Sequence, residues 1–369
     1  MSSLTSILVL FLQIYALNSL SISAETFSRN ATVYYDSTGR YKIKFGVTDR
    51  KNGVAFAVYE DRMNVTGWGE LNIVTGEAVV DDHILMNAAG YLEGALTASR
   101  IHQNYDNILY TVTKDFNFTA EVMEKAKTWF QKQDEWTRMM IMSNKDDPFW
   151  RRVGLLFAQF DGLVAGYQEN CAQEEMLEVF AFQMLNGIGD IIDLRYVLNP
   201  ESQVNWDKVK EEDLFSTVAR HGHCSALVKV LDGYENIFAG HVSWFTYSAM
   251  LRIFKHYNLK LRDNEVSMTS MSFSSYPGFL ESLDDFYIMD NGVVLLQTTN
   301  NVFNRTLYQS VVPQSLLAWQ RLRVANMMSS TGSEWAEIFK KYNSGKNNIH
   351  LVFRPVLSCS FSLSFLGLS

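Results

Sequence analysis

The spacing of apolar and polar positions changes several times along the chain. The first apolar run, Ile7–Leu20, is followed by small residues at Ser21, Ser23 and Ala24, and charge begins at Glu25. That layout is the core and cleavage zone of a secretory signal, and it is too short for a bilayer span. Residues 1–24 are therefore read as a signal peptide, although no Lys or Arg precedes the run. Alternating segments come next. Thr32–Tyr35 and Tyr41–Phe45 read as strands around Asp36-Ser37-Thr38-Gly39, and Gly53–Tyr59 and Gly67–Val74 extend the β character. The period then becomes helical over Asp82–Gln103, Ala120–Met142, Pro148–Gln168 and Glu174–Asn186, with Asn186-Gly187-Ile188-Gly189 as a stop. Asn199–Ala219 is polar and dense in charge, the character of an exposed connection.

Strand character returns at Cys224–Leu231 and Ile237–Phe245, joined by the turn Asp232-Gly233-Tyr234-Glu235-Asn236. Thr246–Tyr257 reads as a helix. Asp285–Met289 and Val293–Thr299 flank Asp290-Asn291-Gly292, a strong hairpin signal, and Gln314–Met328 and Glu334–Tyr342 are helical. Strands and helices in blocks, without a strict βαβ repeat, predict an α+β fold in layers.

Composition narrows the function classes. The 369 residues are 47% hydrophobic with a formal net charge of −8, which excludes a disordered chain and argues against nucleic acid or an anionic membrane surface as the main partner. The three cysteines, Cys171, Cys224 and Cys359, are too few and too scattered for a disulfide scaffold or a zinc site. No metal and no cofactor is expected, since neither a nucleotide-binding nor a metalloprotease motif occurs. Four Asn-x-Ser/Thr triplets, at Asn30, Asn64, Asn117 and Asn304, agree with a secreted or endomembrane glycoprotein. No other apolar run reaches the ~18 residues of a transmembrane helix.

The informative segment is His221-Gly222-His223-Cys224-Ser225-Ala226-Leu227, where a polar connection gives way to an apolar strand. Cys224 can be a small buried hydrophobe, the usual fate of a lone cysteine. It can also be an N-terminal nucleophile. Cleavage of His223–Cys224 would leave a thiol beside an α-amino group of ordinary pKa about 7.7–8.0, which can take the thiol proton itself.

Longer motifs favour the second reading. Gly222–Lys229, Gly233–Phe238, Trp244–Ile253, Ser272–Gly278, Leu295–Asn300 and Trp319–Met328 resemble the phospholipase B-like family, and the likeness runs from about Tyr34 to Gly345. The resemblance implies an N-terminal nucleophile hydrolase with an αββα sandwich, incomplete at its C-terminus. It implies a lysosomal or secreted acyl-ester hydrolase of phospholipids that cuts itself before Cys224. Residues 25–223 would be the N-terminal fragment and 224–345 the nucleophile-bearing one. By the same resemblance His241 would act at the site, Trp244 would line the pocket, and Thr298 or Thr299 would stand near the thiol. A homodimer is compatible with it.

Strand geometry leaves part of this open. His241 shares a face with Cys224 only if the hairpin pairs Cys224 with an odd-numbered residue such as Ser243; a turn centred on Tyr234 would pair it with Trp244 instead. His241 is otherwise a satisfied core histidine, and Thr298 and Thr299 ordinary strand residues. The substrate bond is open as well, because hydrolases of this kind also cut amides. Residues 346–369 depart from the family pattern as an atypical tail, and its uncharged end, Val356–Ser369, reads as a foreign terminus. With sheet strands missing, an inactive truncated glycoprotein is the third reading.

Overall fold

The computed structural model describes residues 27–353, apart from 79, 220–223, 264–265, 285, 300–301 and 345–347. The signal segment, His221, His223, Cys359 and residues 354–369 therefore lie outside the described residues.

Nine strands form one mixed sheet: β1 (Phe27–Tyr35), β2 (Tyr41–Phe45), β3 (Ala55–Arg62), β4 (Trp68–Thr75), β7 (Arg252–Asn258), β8 (Ser270–Ser275), β9 (Phe286–Met289), β10 (Val294–Thr299) and β11 (Asn348–Phe353). Their order is β11-β10-β9-β8-β7-β4-β3-β1-β2. Every pairing is antiparallel except β4–β7, so two antiparallel blocks distant in sequence are joined by one parallel seam. A separate two-stranded sheet holds β5 (Ser225–Val230) and β6 (Ile237–Val242).

Turn chemistry fixes the ends of these strands. Between β1 and β2 the Asp36 carboxylate accepts from the backbone N–H groups of Thr38 and Arg40, and Gly39 takes a left-handed φ of 80°. Between β9 and β10, Gly292 does the same with φ 80°, while Asp290 holds Thr269 at the start of β8.

Side chains alternate across the large sheet. Ala31, Val33, Ala57, Tyr59, Leu71, Ile73, Ile253, Tyr257, Phe273, Tyr287 and Leu295 are buried on one face. That face lies on a helical layer: α1 (Asp82–Leu96), α2 (Ala98–Tyr110), α3 (Ala120–Ser143), α4 (Pro148–Gln168), α5 (Val179–Asn186) and α6 (Ile188–Leu198), with α8 (Ala318–Met328) and α9 (Gly332–Phe339) from the end of the chain. The other face is half-exposed over β4 and β7, where Trp68, Glu70, Asn72, Phe254 and His256 stand.

Helices α1 and α4 touch backbone to backbone. Gly90 and Gly94 on α1, like Gly162 and Gly166 on α4, lie one turn apart and each abuts the other helix's backbone; a Cβ built on Gly90 would lie 1.9 Å from the Gln159 carbonyl oxygen and one on Gly162 2.0 Å from that of Asn87. This contact sets α1 between the sheet and α4.

Several sequence expectations are corrected. The helix expected over Thr246–Tyr257 is strand β7 from Arg252 onward. Its inward positions are Ile253, Lys255 and Tyr257, and the buried lysine breaks the apolar alternation that would have marked a strand. The helix expected over Asp82–Gln103 divides at Thr97, whose hydroxyl donates to the Glu93 carbonyl. Only Val179–Asn186 of the segment from Glu174 is α-helical, and α6 restarts at Ile188, directly after Gly187. Asn348–Phe353, within the segment read as an atypical tail, forms β11 and pairs with β10 along its whole length. The polar connection does carry a short helix, α7 (Glu211–Ala219).

Candidate active site

Cys224 immediately precedes β5 and is half-buried. The hairpin it opens has the register Ser225 opposite Val242 and Ala226 opposite His241. Continued by one residue, that register sets Cys224 opposite Ser243, so Cys224, Ala226 and His241 share one face. The loop explains the parity. Leu231 donates to the Asn236 carbonyl, leaving Asp232–Glu235 as an even-numbered loop in which Gly233 takes φ 65°. A loop with one residue more or less would send His241 to the opposite face.

The two faces of the hairpin differ. Ala226, Val228, Ile237, Ala239 and His241 are half-buried, and β5 packs against β10. Leu227, Phe238 and Val242 on the reverse face are all more than half exposed. Trp244 is 55% exposed, just beyond β6 and on the opposite parity to His241.

His241 lies against the backbone of Gln297 on β10, and Asp284 and Arg252 act on its charge. Burial pushes its pKa below the ordinary histidine value; the Asp284 carboxylate opposes that shift and the Arg252 guanidinium adds to it. Nε2 of His241 is buried and has no hydrogen-bond partner among the described residues. A neutral ring with one nitrogen unengaged is suited to accept a proton.

Thr298 and Thr299 follow Gln297 on β10, both half-buried, opposite Ile349 and Asn348 of β11. Adjacent strand residues point to opposite faces, so at most one of the two can look toward the thiol. Sequence reading missed Arg252, Tyr276 and Asp284. Arg252 opens β7 and pairs with Asp284, whose other carboxylate oxygen accepts from the Tyr276 hydroxyl at 2.6 Å. The stretches Trp244–Ile253 and Ser272–Gly278 already contained two of these three; what the sequence lacked was any sign that they meet.

The sequon asparagines occupy different settings. Asn64, Asn117 and Asn304 are exposed, whereas Asn30 is half-buried on β1 and donates its side-chain amide to Thr48 at 2.9 Å. Among the described residues no cluster of His, Cys, Asp and Glu could hold a metal ion, and no helix is long and apolar enough to cross a membrane.

Comparison with known proteins places this geometry in a family. The family model for Phospholipase B matches residues 55–354, and so runs on through β11. Phospholipase B-like 1 of Rattus norvegicus is 45% identical over 328 residues, 87% of this chain and 57% of the relative. Phospholipase-B 81 of Drysdalia coronoides is 48% identical over 330 residues, covering 86% of this chain and 57% of the relative. Phospholipase B-like 1 of Homo sapiens is 46% identical over 308 residues, covering 82% and 54%. The chain thus spans little more than half the length of these relatives, while nearly all of its own sheet and helical layer falls within the match. It belongs to the phospholipase B family.

Proposed function

We propose that this chain carries the nucleophile of a phospholipase B-like acyl-ester hydrolase, with Cys224 made the first residue of a processed fragment by cleavage of His223–Cys224. The observation that supports the reading is the β5–β6 register, in which Ala226 stands opposite His241 and the same alternation, continued by one residue, carries the half-buried Cys224 to that face. The names of the relatives supply the lipid class. In this reading the new α-amino group, or His241, takes the thiol proton. The thiolate adds to the ester carbonyl, the alcohol leaves with that proton, and an acyl thioester remains on Cys224. Water then attacks the thioester, and the fatty acid leaves as the thiol is regenerated. Thr298 or Thr299 would border the reacting carbonyl, and Trp244 would meet substrate only at the open edge of the site. The signal segment and the exposed sequons point to a secreted or lysosomal route.

The test is mass spectrometry of the secreted protein together with turnover of phospholipid and matched N-acyl substrates. Expected are a new N-terminus at Cys224 and ester hydrolysis, both abolished in Cys224→Ala. A Cys224→Ala protein that still divides into two fragments would overturn the cleavage step. Preference for the N-acyl substrate would overturn the ester assignment.

A further inference from the structure

The half-exposed face of the large sheet carries chemistry that the Cys224 site does not use. Ser272 on β8 stands directly opposite His256 on β7, and its Oγ lies 2.8 Å from His256 Nδ1. The other ring nitrogen, Nε2, faces Glu70 on β4, 3.9 Å from Oε1. Strands β8, β7 and β4 are neighbours in the sheet, so a hydroxyl, an imidazole and a carboxylate form a line across three strands. All three residues are partly open to water.

Two contacts hold the line in place. The Phe254 ring packs edge-on against His256, with centroids 5.0 Å apart. Asn72, opposite His256 on β4, donates its side-chain amide to Glu70 Oε1 at 3.2 Å. A carboxylate beside Nε2 favours the tautomer protonated there, which leaves Nδ1 to accept from the serine hydroxyl. Apolar groups flank the serine. Ile288 stands opposite it on β9 and is 45% exposed, and on the other side Phe254 meets Trp68 at 6.4 Å between ring centroids.

We propose that Ser272 is a second nucleophile, with His256 as its base and Glu70 positioning that base, and that it accepts the acyl group of carboxylic esters with an apolar chain. The Ser272 proton passes to Nδ1 as Oγ adds to the carbonyl carbon. Glu70 then faces an imidazolium, whose charge its carboxylate offsets. The second amide hydrogen of Asn72 serves the carbonyl oxygen as its charge develops. The C–O bond to the alcohol breaks, the alcohol takes the proton from His256, and the acyl group stays on Oγ as an ester. Water attacks that ester with His256 again as base, the acid leaves, and the serine regains its proton. Ile288 and Phe254 receive the acyl chain. The site shares no residue with the Cys224 hairpin.

The test treats the full chain with a decyl fluorophosphonate, whose phosphorus takes a serine oxygen as fluoride leaves, and locates the modified residue by peptide mass spectrometry. Expected is phosphonylation of Ser272, absent in Ser272→Ala. In His256→Gln, which keeps a polar partner for the hydroxyl, the rate constant of the bound probe, kinact, falls about 100-fold. In Glu70→Gln kinact falls while KI stays the same, a split that loss of a merely structural contact would not produce. An ethyl fluorophosphonate reacts at the same serine with a weaker KI. A wild-type chain left unmodified at Ser272 would overturn the proposal, as would equal kinact in wild type and His256→Gln. Equal KI for the decyl and ethyl probes would overturn the apolar substrate class. The modified residue is identified directly, so an inert Cys224 would refute the site on the hairpin and leave this result standing.

Discussion

Lys255 Nζ lies 2.6 Å from Glu93 Oε1, with both side chains fully withdrawn from water. The ammonium also donates to the carbonyl oxygens of Tyr276 and Phe279, and the Tyr257 hydroxyl donates to the other oxygen of Glu93. One strand residue thus ties β7 to α1 and to the loop that carries Asp284. Burial lowers the Lys255 pKa, and the Glu93 carboxylate opposes that shift. Removing one partner strands the other charge. Lys255→Met is expected to cost about 3–5 kcal/mol in urea unfolding at pH 7. The double variant Lys255→Met with Glu93→Met is expected to be more stable than Lys255→Met alone, since no buried charge then lacks its counterion. A double variant at the sum of the two single losses would refute that coupling.

This lysine also shows why the fold was only partly legible. Hairpins whose turns carry Asp, Asn and Gly, such as β1–β2 and β9–β10, were readable because turn chemistry is local. Helix α4 was readable from Pro148 to Gln168 because Asp147 caps it and proline opens it. Strand β7 was not, because Lys255 fills a position that the binary pattern assigns to a hydrophobe. The site divides in the same way. Cys224 announced itself by its neighbours in sequence, but its relation to His241 depended on whether one loop holds an even or odd number of residues. Arg252 and Asp284 are 32 positions apart and meet only through the order of strands in the sheet.

The α1–α4 contact gives a second prediction. Gly90→Ala would drive a methyl group into the Gln159 backbone, and Gly162→Ala into that of Asn87, where neither helix can yield without moving the sheet layer. Each is expected to cost about 3 kcal/mol or to abolish secretion. Gly240→Ala on β6, where nothing lies within 4 Å of the added carbon, is expected to leave the unfolding midpoint unchanged or slightly raised. Equal losses at Gly90 and Gly240 would contradict the packing argument.

Glycan occupancy should follow exposure. Asn304 uses its side-chain oxygen to accept from the Thr306 backbone and hydroxyl, which leaves its amide nitrogen outward. Asn64 and Asn117 are likewise exposed. Asn30 already spends its amide on Thr48. Glycopeptide mass spectrometry of secreted protein is expected to find Asn64, Asn117 and Asn304 occupied and Asn30 largely bare. Heavy occupancy at Asn30 would mean that β1 acquires its glycan before it joins the sheet.

Acidification should weaken the fold through His241. Its pKa in the folded protein is below the ordinary value of about 6.5, chiefly because burial disfavours the charged ring. Well above pH 6.5 the ring is neutral in both states and contributes no pH dependence. As pH falls through 6.5 the unfolded chain takes up the proton first, so stability declines, and the decline ends only below the folded pKa. Urea unfolding at pH 7, 6 and 5 is therefore expected to show a steeper loss in wild type than in His241→Gln, which carries no such proton. The comparison is internal, so carboxylates that titrate in both proteins cancel. Parallel losses in the two proteins would show that the folded protein gives His241 no preference for the neutral form, and the ring could not then serve as the pre-formed base beside Cys224.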